Sequence, residues 1–262
     1  MMLIASDIHV SLAGNSVLEG AGFRAEAGLV TAIVGPNGSG KTTLLRAMTQ
    51  DLPYQGRITL DGNDLTAIPG WRLATRRGVL PQASGIAFPF TVLEIVRLGL
   101  SAAAVPAPES RASDALARVG LAGFEGRFYQ ELSGGEQQRA QLARVLCQVW
   151  DPVGPDGPRW LFLDEPVASL DIGHQLEVMD IMADYAARGG GVVAVMHDLN
   201  LTAIYAASVA MLAEGRVMAQ GTPEEVLTDV TLSRAYGCAL RVNAAPDPPA
   251  TFLLPHMARR AG

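Results

Sequence analysis

Residues 29–34, Leu29-Val30-Thr31-Ala32-Ile33-Val34, form an apolar, β-branched run that stops at a glycine. The chain then changes character twice within a few turns. Gly35-Pro36-Asn37-Gly38-Ser39-Gly40-Lys41-Thr42 fits the phosphate-loop pattern G-x-x-x-x-G-K-[ST] at every fixed position. From Lys41 to Gln50 the pattern turns helical, with Leu44, Leu45 and Met48 on one side. A buried strand feeding a glycine-rich loop and then a helix is the context in which the eight-residue match becomes specific, and it sets an α/β fold as the expectation. Of the 20 basic residues in the chain, Lys41 is the one lysine. A loop wrapped around phosphates has room for a compact ammonium on a flexible stem but not for a wide planar guanidinium. Lys41 is therefore read as a phosphate ligand.

Two more apolar runs end in polar residues. Trp160-Leu161-Phe162-Leu163 leads into Asp164-Glu165, and Val192-Val193-Ala194-Val195-Met196 leads into His197-Asp198. Helical segments such as 172–188 separate such runs, which predicts a mainly parallel sheet covered on both faces. In such sheets ligands bind at the carboxyl ends of the strands, where these polar residues fall. Residues 2–30 and 56–62 alternate apolar and polar instead, with turn signals at Ala13-Gly14-Asn15 and Asp61-Gly62, as antiparallel strands do. Residues 91–149 carry helical patterns interrupted near Pro106 and Pro108, and 151–158 reads as a Pro/Gly loop within the same sheet. Thr222-Pro223-Glu224-Glu225 marks a helix start. The expected architecture is α/β: a phosphate-loop core with a mainly parallel sheet, an N-terminal antiparallel β subdomain and an inserted α-helical subdomain at about 85–150. Residues 1–262 would form a single domain.

Composition narrows the function classes. Hydrophobic residues make up 49% of the 262 positions, yet no uninterrupted apolar stretch of about 18 residues exists to span a membrane. The start Met1-Met2-Leu3-Ile4-Ala5-Ser6-Asp7 lacks the basic opening and long apolar run of a signal peptide, so a cytoplasmic location is expected. A net charge of −6 argues against a nucleic-acid partner, and the basic doublets Arg76-Arg77 and Arg259-Arg260 read as solvated surface. Cys147 and Cys238 read as reduced, partly buried thiols, and His9, His174, His197 and His256 show no metal-ligand spacing.

Leu132-Ser133-Gly134-Gly135-Glu136-Gln137-Gln138-Arg139 is the most specific stretch after the phosphate loop. Ser133 and Glu136 have the spacing of a capping box, and the helix continues through Leu142, Val145, Leu146 and Val149. Capping does not explain two consecutive glycines. At a helix start they bare backbone N–H groups, which suits an anion.

Taken in order, these motifs resemble an ABC-type ATPase, the nucleotide-binding subunit of a membrane transporter. The residues that carry the likeness are 35–42, Gln82, 132–136, Leu161-Phe162-Leu163-Asp164-Glu165, Ser169-Leu170-Asp171 and His197. A finer resemblance is to the haem-importer ATPases of the siderophore, haem and vitamin B12 importer class. It rests on Leu80-Pro81-Gln82-Ala83-Ser84, Phe88-Pro89-Phe90-Thr91-Val92, the helix from Glu136 to Leu146, His197-Asp198-Leu199-Asn200-Leu201 and the Gly/Pro insertion after Trp150. Ferric-siderophore and cobalamin relatives share several of these, so those cargoes are the alternatives. A non-transport ABC ATPase is disfavoured by the single cassette, the lack of sustained heptads and the acidic balance.

The resemblance implies roles. The loop Gly35, Pro36, Asn37, Gly38, Ser39, Gly40, Lys41 and Thr42 surrounds the nucleotide phosphates, with the backbone N–H groups from Gly38 to Thr42 cradling the β-phosphate and Thr43 near the α-phosphate. Thr42, Gln82 and Asp164 hold Mg²⁺ with ATP. Glu165 is the general base, and His197 contacts the γ-phosphate and holds that base. Ser133, Gly134, Gly135 and Glu136 contact ATP in trans across a head-to-tail homodimer, and Asp171 couples the two sites. The implied partners are transmembrane permease subunits and, indirectly, a periplasmic or surface haem-binding protein. The location is peripheral at the cytoplasmic face of the inner or plasma membrane. Residues 82–100, including Phe88, Phe90, Val92 and Leu93, are expected to help form the groove for a permease helix.

One departure bears on specificity. The family stacks adenine on an aromatic residue in the first strands, but Ile8 to Leu18 contains none, leaving His9, Leu12 and Val17. Losing an aromatic stacking contribution of about 1 kcal/mol should narrow base discrimination. Comparing kcat/KM for ATP and GTP is expected to give a ratio within about tenfold; a much larger preference for ATP would show this wrong.

Overall fold

The computed structural model describes residues 1–82, 88–102, 108, 110–247 and 249–255. Ala83 and Ser84, Pro106, His256 and Arg259-Arg260, all singled out above, lie outside the described residues. Strands β1 (Met2–Leu12) and β2 (Asn15–Glu26) pair antiparallel with Leu12 opposite Asn15, across the turn at Ala13-Gly14. Then come β3 (Val30–Val34), α1 (Lys41–Met48), β4 (Gln55–Leu60) and the short β5 (Asn63–Asp64). The antiparallel sheet has the order β2-β1-β4-β5. Along β2, Leu18, Ala21, Phe23 and Ala25 are buried while their neighbours face outward, so one face only of this sheet is covered. The first helix ends two residues short of Gln50, which adopts a left-handed backbone at φ +56°.

Helix α2 (Gly70–Arg76) runs directly into β6 (Arg77–Leu80). Three helices follow: α3 (Val92–Ser101), α4 (Ser110–Arg118) and α5 (Gly134–Gln148). The chain returns to the sheet through a two-rung hairpin, β7 (Val153–Gly154) and β8 (Gly157–Pro158), then β9 (Trp160–Asp164). The segment read as an irregular Pro/Gly loop is thus a hairpin, closed by pairing of Val153 with Pro158 and Gly154 with Gly157. Helix α6 (Ile172–Ala187), β10 (Gly191–Val195), α7 (Leu199–Tyr205), β11 (Ser208–Ala213), β12 (Arg216–Gly221), α8 (Pro223–Val226) and α9 (Asp229–Tyr236) complete the described chain. The helix start expected at Thr222 is closed by a capping box: the Thr222 side chain accepts from the Glu225 N–H, and the Glu225 carboxylate accepts from the Thr222 N–H.

The central sheet has the order β12-β11-β3-β10-β9-β6, parallel except for β12. All five residues of β3, β9 and β10 are buried, which explains their unbroken apolar runs. Alternate residues serve different cores. Val30, Ala32, Leu161 and Leu163 face the cluster built with α3, α4, α5 and α6. Ile33, Phe162, Val193 and Val195 face the cluster shared with α1 and the antiparallel sheet. Leu44, Leu45 and Met48 insert between the two sheets, as their one-sided spacing required.

Two readings of single residues change. Arg76 is not solvated: it is buried, and its Nη2 donates to Asp61 at 2.6 Å while Asp61 also accepts from the Met2 N–H at 2.9 Å. Cys238 is exposed, whereas Cys147 is fully buried, which pushes its thiol up to about 12 and keeps it unreactive. The Asp61–Arg76 pair ties the antiparallel sheet to α2. Asp61→Ala would leave a buried guanidinium uncompensated, and a loss of about 3 kcal/mol is expected in urea unfolding, with an unchanged m-value.

Candidate functional site

Four parallel strands deliver their polar residues to one place. The phosphate loop follows β3, Asp164 and Glu165 end β9, His197 follows β10, and Gln82 follows β6. Because β3, β10, β9 and β6 are consecutive neighbours, their carboxyl ends open on one side of the sheet. A cavity of about 590 Å³ lies there, bounded by Val17, Asn37, Gly38, Gly40, Lys41, Thr42, Thr43, Gln82, Glu165 and His197. Gly35, Pro36 and Ser39 shape the loop from behind rather than lining the cavity.

The loop's turn depends on glycine. Gly35 has φ +148°, and a Cβ there would stand 1.9 Å from the Leu212 carbonyl oxygen. Gly40, at φ +103°, caps α1 without a side-chain hydrogen bond, so the first N–H groups of the helix stay available. With the helix dipole behind them, those groups favour an anion. Lys41 Nζ donates to the carbonyls of Gly35 and Pro36 at 2.9 and 3.0 Å, which arches its stem across the loop. Burial holds the Lys41 ammonium below the usual lysine range, against the opposing pull of Glu165 and Asp164.

Asp164 lies under the loop. The Thr42 hydroxyl donates to its Oδ1 at 3.0 Å, joining the start of α1 to the end of β9. Burial pushes the Asp164 carboxyl above the usual carboxylate range, with the Thr42 bond acting the other way and Glu165 adding repulsion. Glu165 has a left-handed backbone at φ +52°, a strain of about 1–3 kcal/mol that ends the strand and turns its side chain into the cavity. The Glu165 N–H still bonds the Val195 carbonyl at 3.2 Å, and His197 Nε2 sits 2.5 Å from Glu165 Oε1. A carboxylate with its imidazole partner, facing an anion cradle, has the parts needed to orient a water against a phosphate.

Ser133, Gly134, Gly135 and Glu136 are not at this cavity. Ser133 caps α5, the Glu136 side chain returns to the Ser133 N–H at 2.7 Å, and that bond holds the Glu136 carboxyl below the usual range. Ser133 and Gly134 are exposed, and among the described residues no atom lies within 4 Å of where a Cβ on Gly134 would stand. Asp171 caps α6, accepting from the His174 N–H at 3.0 Å, and is exposed beside Ile172. Of the three substitutes for an adenine-stacking ring, Val17 lines the cavity, while His9 bonds Asp7 at 3.0 Å and borders a separate cleft beside Tyr54.

Two contacts were not anticipated. Gln138 Nε2 donates to the Glu165 carbonyl at 2.6 Å; its place one turn after Gly135 was the available signal. Tyr236, on α9, receives a hydrogen bond from the Gly35 backbone, opposing the burial that pushes its phenol up. Nothing local to Tyr236 signals a contact some 200 residues away.

Residues 18–168 match the family described as ABC transporter. The chain is 66% identical over 261 residues to the hemin import ATP-binding protein HmuV of Jannaschia sp. (strain CCS1), covering 100% of this chain and 97% of that protein. It is 58% identical over 260 residues to the protein of the same name from Roseobacter denitrificans, covering 99% and 100%. Among solved structures, the ATP binding subunit of an ABC transporter superposes with a TM-score of 0.74 at 22% identity, covering 91% of this chain and 95% of that one.

At pH 7 the buried Asp164 carboxylate opposes folding, because its raised value means the native state favours the neutral form. Asp164→Asn keeps an acceptor for Thr42 and removes the charge. The nucleotide-free variant is expected to melt about 2–4 °C higher than wild type while losing ATP hydrolysis, checked by calorimetry and phosphate release.

Proposed function

The chain belongs to the ABC transporter family, and on that premise we propose that it is the ATP-hydrolysing, energy-coupling subunit of a membrane importer for haem. The observation that carries the ATPase reading is the convergence of Lys41, Thr42, Asp164, Glu165, His197 and Gln82 on one cavity from four adjacent strands. The cargo follows from the relatives named for hemin import, which this chain matches along its whole length. Haem itself is bound by partners and not by this subunit.

Within the site, the N–H groups from Gly38 to Thr42 cradle the phosphates, and Lys41 bridges the terminal two. The Thr42 hydroxyl and the Asp164 carboxylate, 3.0 Å apart, are hard oxygen donors of the kind Mg²⁺ takes beside phosphates, and Gln82 adds an amide oxygen at the cavity wall. Thr42, Asp164 and Gln82 would hold the ion, which when bound offsets charge on the phosphate oxygens. Glu165 orients the attacking water and accepts its proton, and His197 fixes that carboxylate.

The exposed start of α5 lies outside the chain's own cavity yet is built to meet an anion. This supports a head-to-tail homodimer in which Ser133, Gly134, Gly135 and Glu136 meet the nucleotide of a second copy and Asp171 couples the two sites. The segment at about 85–150 acts as the helical subdomain within one domain spanning 1–262. Among the described residues no helix is long and apolar enough to cross a membrane, so attachment at the cytoplasmic face runs through permease subunits, which in turn receive haem from a periplasmic or surface binding protein. Phe88, Phe90 and Phe128 are exposed, with the first two rings edge to face at 6.3 Å, and they offer the permease an apolar surface. Val92 is fully buried and Leu93 packs on the core, so that surface is narrower than 82–100.

The test is complementation of a strain lacking the gene, with haem, a ferric siderophore or free iron as sole iron source. Wild type should restore growth on haem alone. Glu165→Gln should assemble with the permease but not restore growth, and Phe88→Asp should hydrolyse ATP without assembling. Rescue of siderophore use instead of haem use would overturn the cargo.

A further inference from the structure

Helix α5 meets the segment carrying Glu165 and Asp171 at two points one helical turn apart. Gln138 Nε2 donates to the Glu165 carbonyl at 2.6 Å. At position 135 a Cβ would lie 2.9 Å from the Ser169 carbonyl oxygen and 3.1 Å from Leu170 Cδ2, so a bare glycine is what lets the helix seat there. Positions 135 and 138 share one helix face. Capping accounts for neither, since Ser133 and Glu136 perform it.

Packing does not account for Gln138 either. Its Oε1 is buried and has no hydrogen-bond partner among the described residues. An apolar side chain of that length would fill the space without leaving a buried acceptor unmatched. What the amide adds is an N–H donor, and it spends that donor on the backbone of a residue already held in a sparsely populated conformation, at φ +52°. The Glu165 N–H is tied to Val195 and its carbonyl also accepts from the Ala168 N–H at 3.3 Å. The direction of the carboxylate is therefore set by how this peptide is held, with Val195 of β10 on its N–H side and Gln138 of α5 on its carbonyl.

We propose that Gln138 is a positioning residue through which the α5 N-terminus governs Glu165. When the Ser133 end closes on the nucleotide of a second copy, α5 shifts as a rigid rod. Its inner face, Gly135 and Gln138, then moves the loop it touches, and the Gln138–Glu165 bond aims the carboxylate at the water in this chain's own cavity. Each nucleotide thereby licenses the base that acts on the other. This rests on the reading of Glu165 as the base and of Ser133 as facing a partner's nucleotide.

The experiment measures ATP hydrolysis by the full-length protein against ATP concentration for wild type, Gln138→Met, Gln138→Glu and Glu165→Gln, with melting temperature and binding of a fluorescent ATP analogue. Methionine matches the length of glutamine without a donor, and glutamate keeps its shape but can only accept. A carboxylate misplaced by about 1 Å predicts a kcat lower by about 10–100-fold in both Gln138 variants. KM should stay within about twofold, and the Hill coefficient should fall from above 1 to about 1. Wild-type kcat and cooperativity in both variants would overturn the proposal, as would a kcat loss that follows lost melting temperature or binding with cooperativity kept. A wild-type Hill coefficient of 1 would overturn it too. Glu165→Gln hydrolysing as fast as wild type would instead defeat the assignment of the base on which the proposal stands.

Discussion

Lys41, bonded to the Gly35 and Pro36 carbonyls, and Asp164, bonded to the Thr42 hydroxyl, are held out of water, each shifted by burial against its own charged form. Two desolvated charges of opposite sign, joined through a strand end and a helix start, would be a costly arrangement if they served only to hold the fold together. The geometry around them explains their retention. The N–H groups at the start of α1, free of any side-chain cap, and the 590 Å³ cavity above them suit an anion, whose charge would complement the Lys41 ammonium. The native state keeps part of its stability in reserve for the ligand.

Everything else in the fold keeps that junction in place. Because β3, β9 and β10 are buried on both faces, a charged side chain in mid-strand would be costly; Thr31 brings only a small hydroxyl into β3, and the charged groups stand at the carboxyl ends. Residue Glu165 leaves β9 through a left-handed turn and is steadied from three directions, by Val195, His197 and Gln138. The antiparallel sheet clamps α1 from the other side through the shared core of Leu44, Leu45 and Met48, and the buried Asp61–Arg76 pair fastens that sheet to α2.

Where the sequence was legible, the signal was local. The capping boxes at Ser133 and Thr222 were readable because a cap and its partner are three residues apart. The unbroken runs of β3, β9 and β10 announced strands covered on both sides, and the alternation of β2 announced one covered on a single side. Local reading failed where a residue's environment comes from a distant segment. Arg76-Arg77 looked like solvated surface because a doublet carries no trace of Asp61 or of the hairpin carbonyl at Pro158. His9 looked like a stand-in for an aromatic ring because strand alternation near a bulge does not reveal which cleft a side chain will face.

The sequence by itself determined which chemistry this protein can attempt. It supplied a phosphate loop with its single lysine, a carboxylate pair and an imidazole after apolar strands, and a second anion-seeking helix start. Those features are carried by residues close together in the chain, where spacing and backbone preference decide the outcome. The tertiary structure alone decided which of them act together. It placed β3, β10, β9 and β6 side by side, so that Lys41, Glu165, His197 and Gln82 share one cavity, and it left Ser133 outside and set Gln138 against the Glu165 carbonyl. The reason is that strand order and the burial of a charge are properties of the assembled core, summed over contacts from segments more than a hundred residues apart. No window of sequence contains that sum.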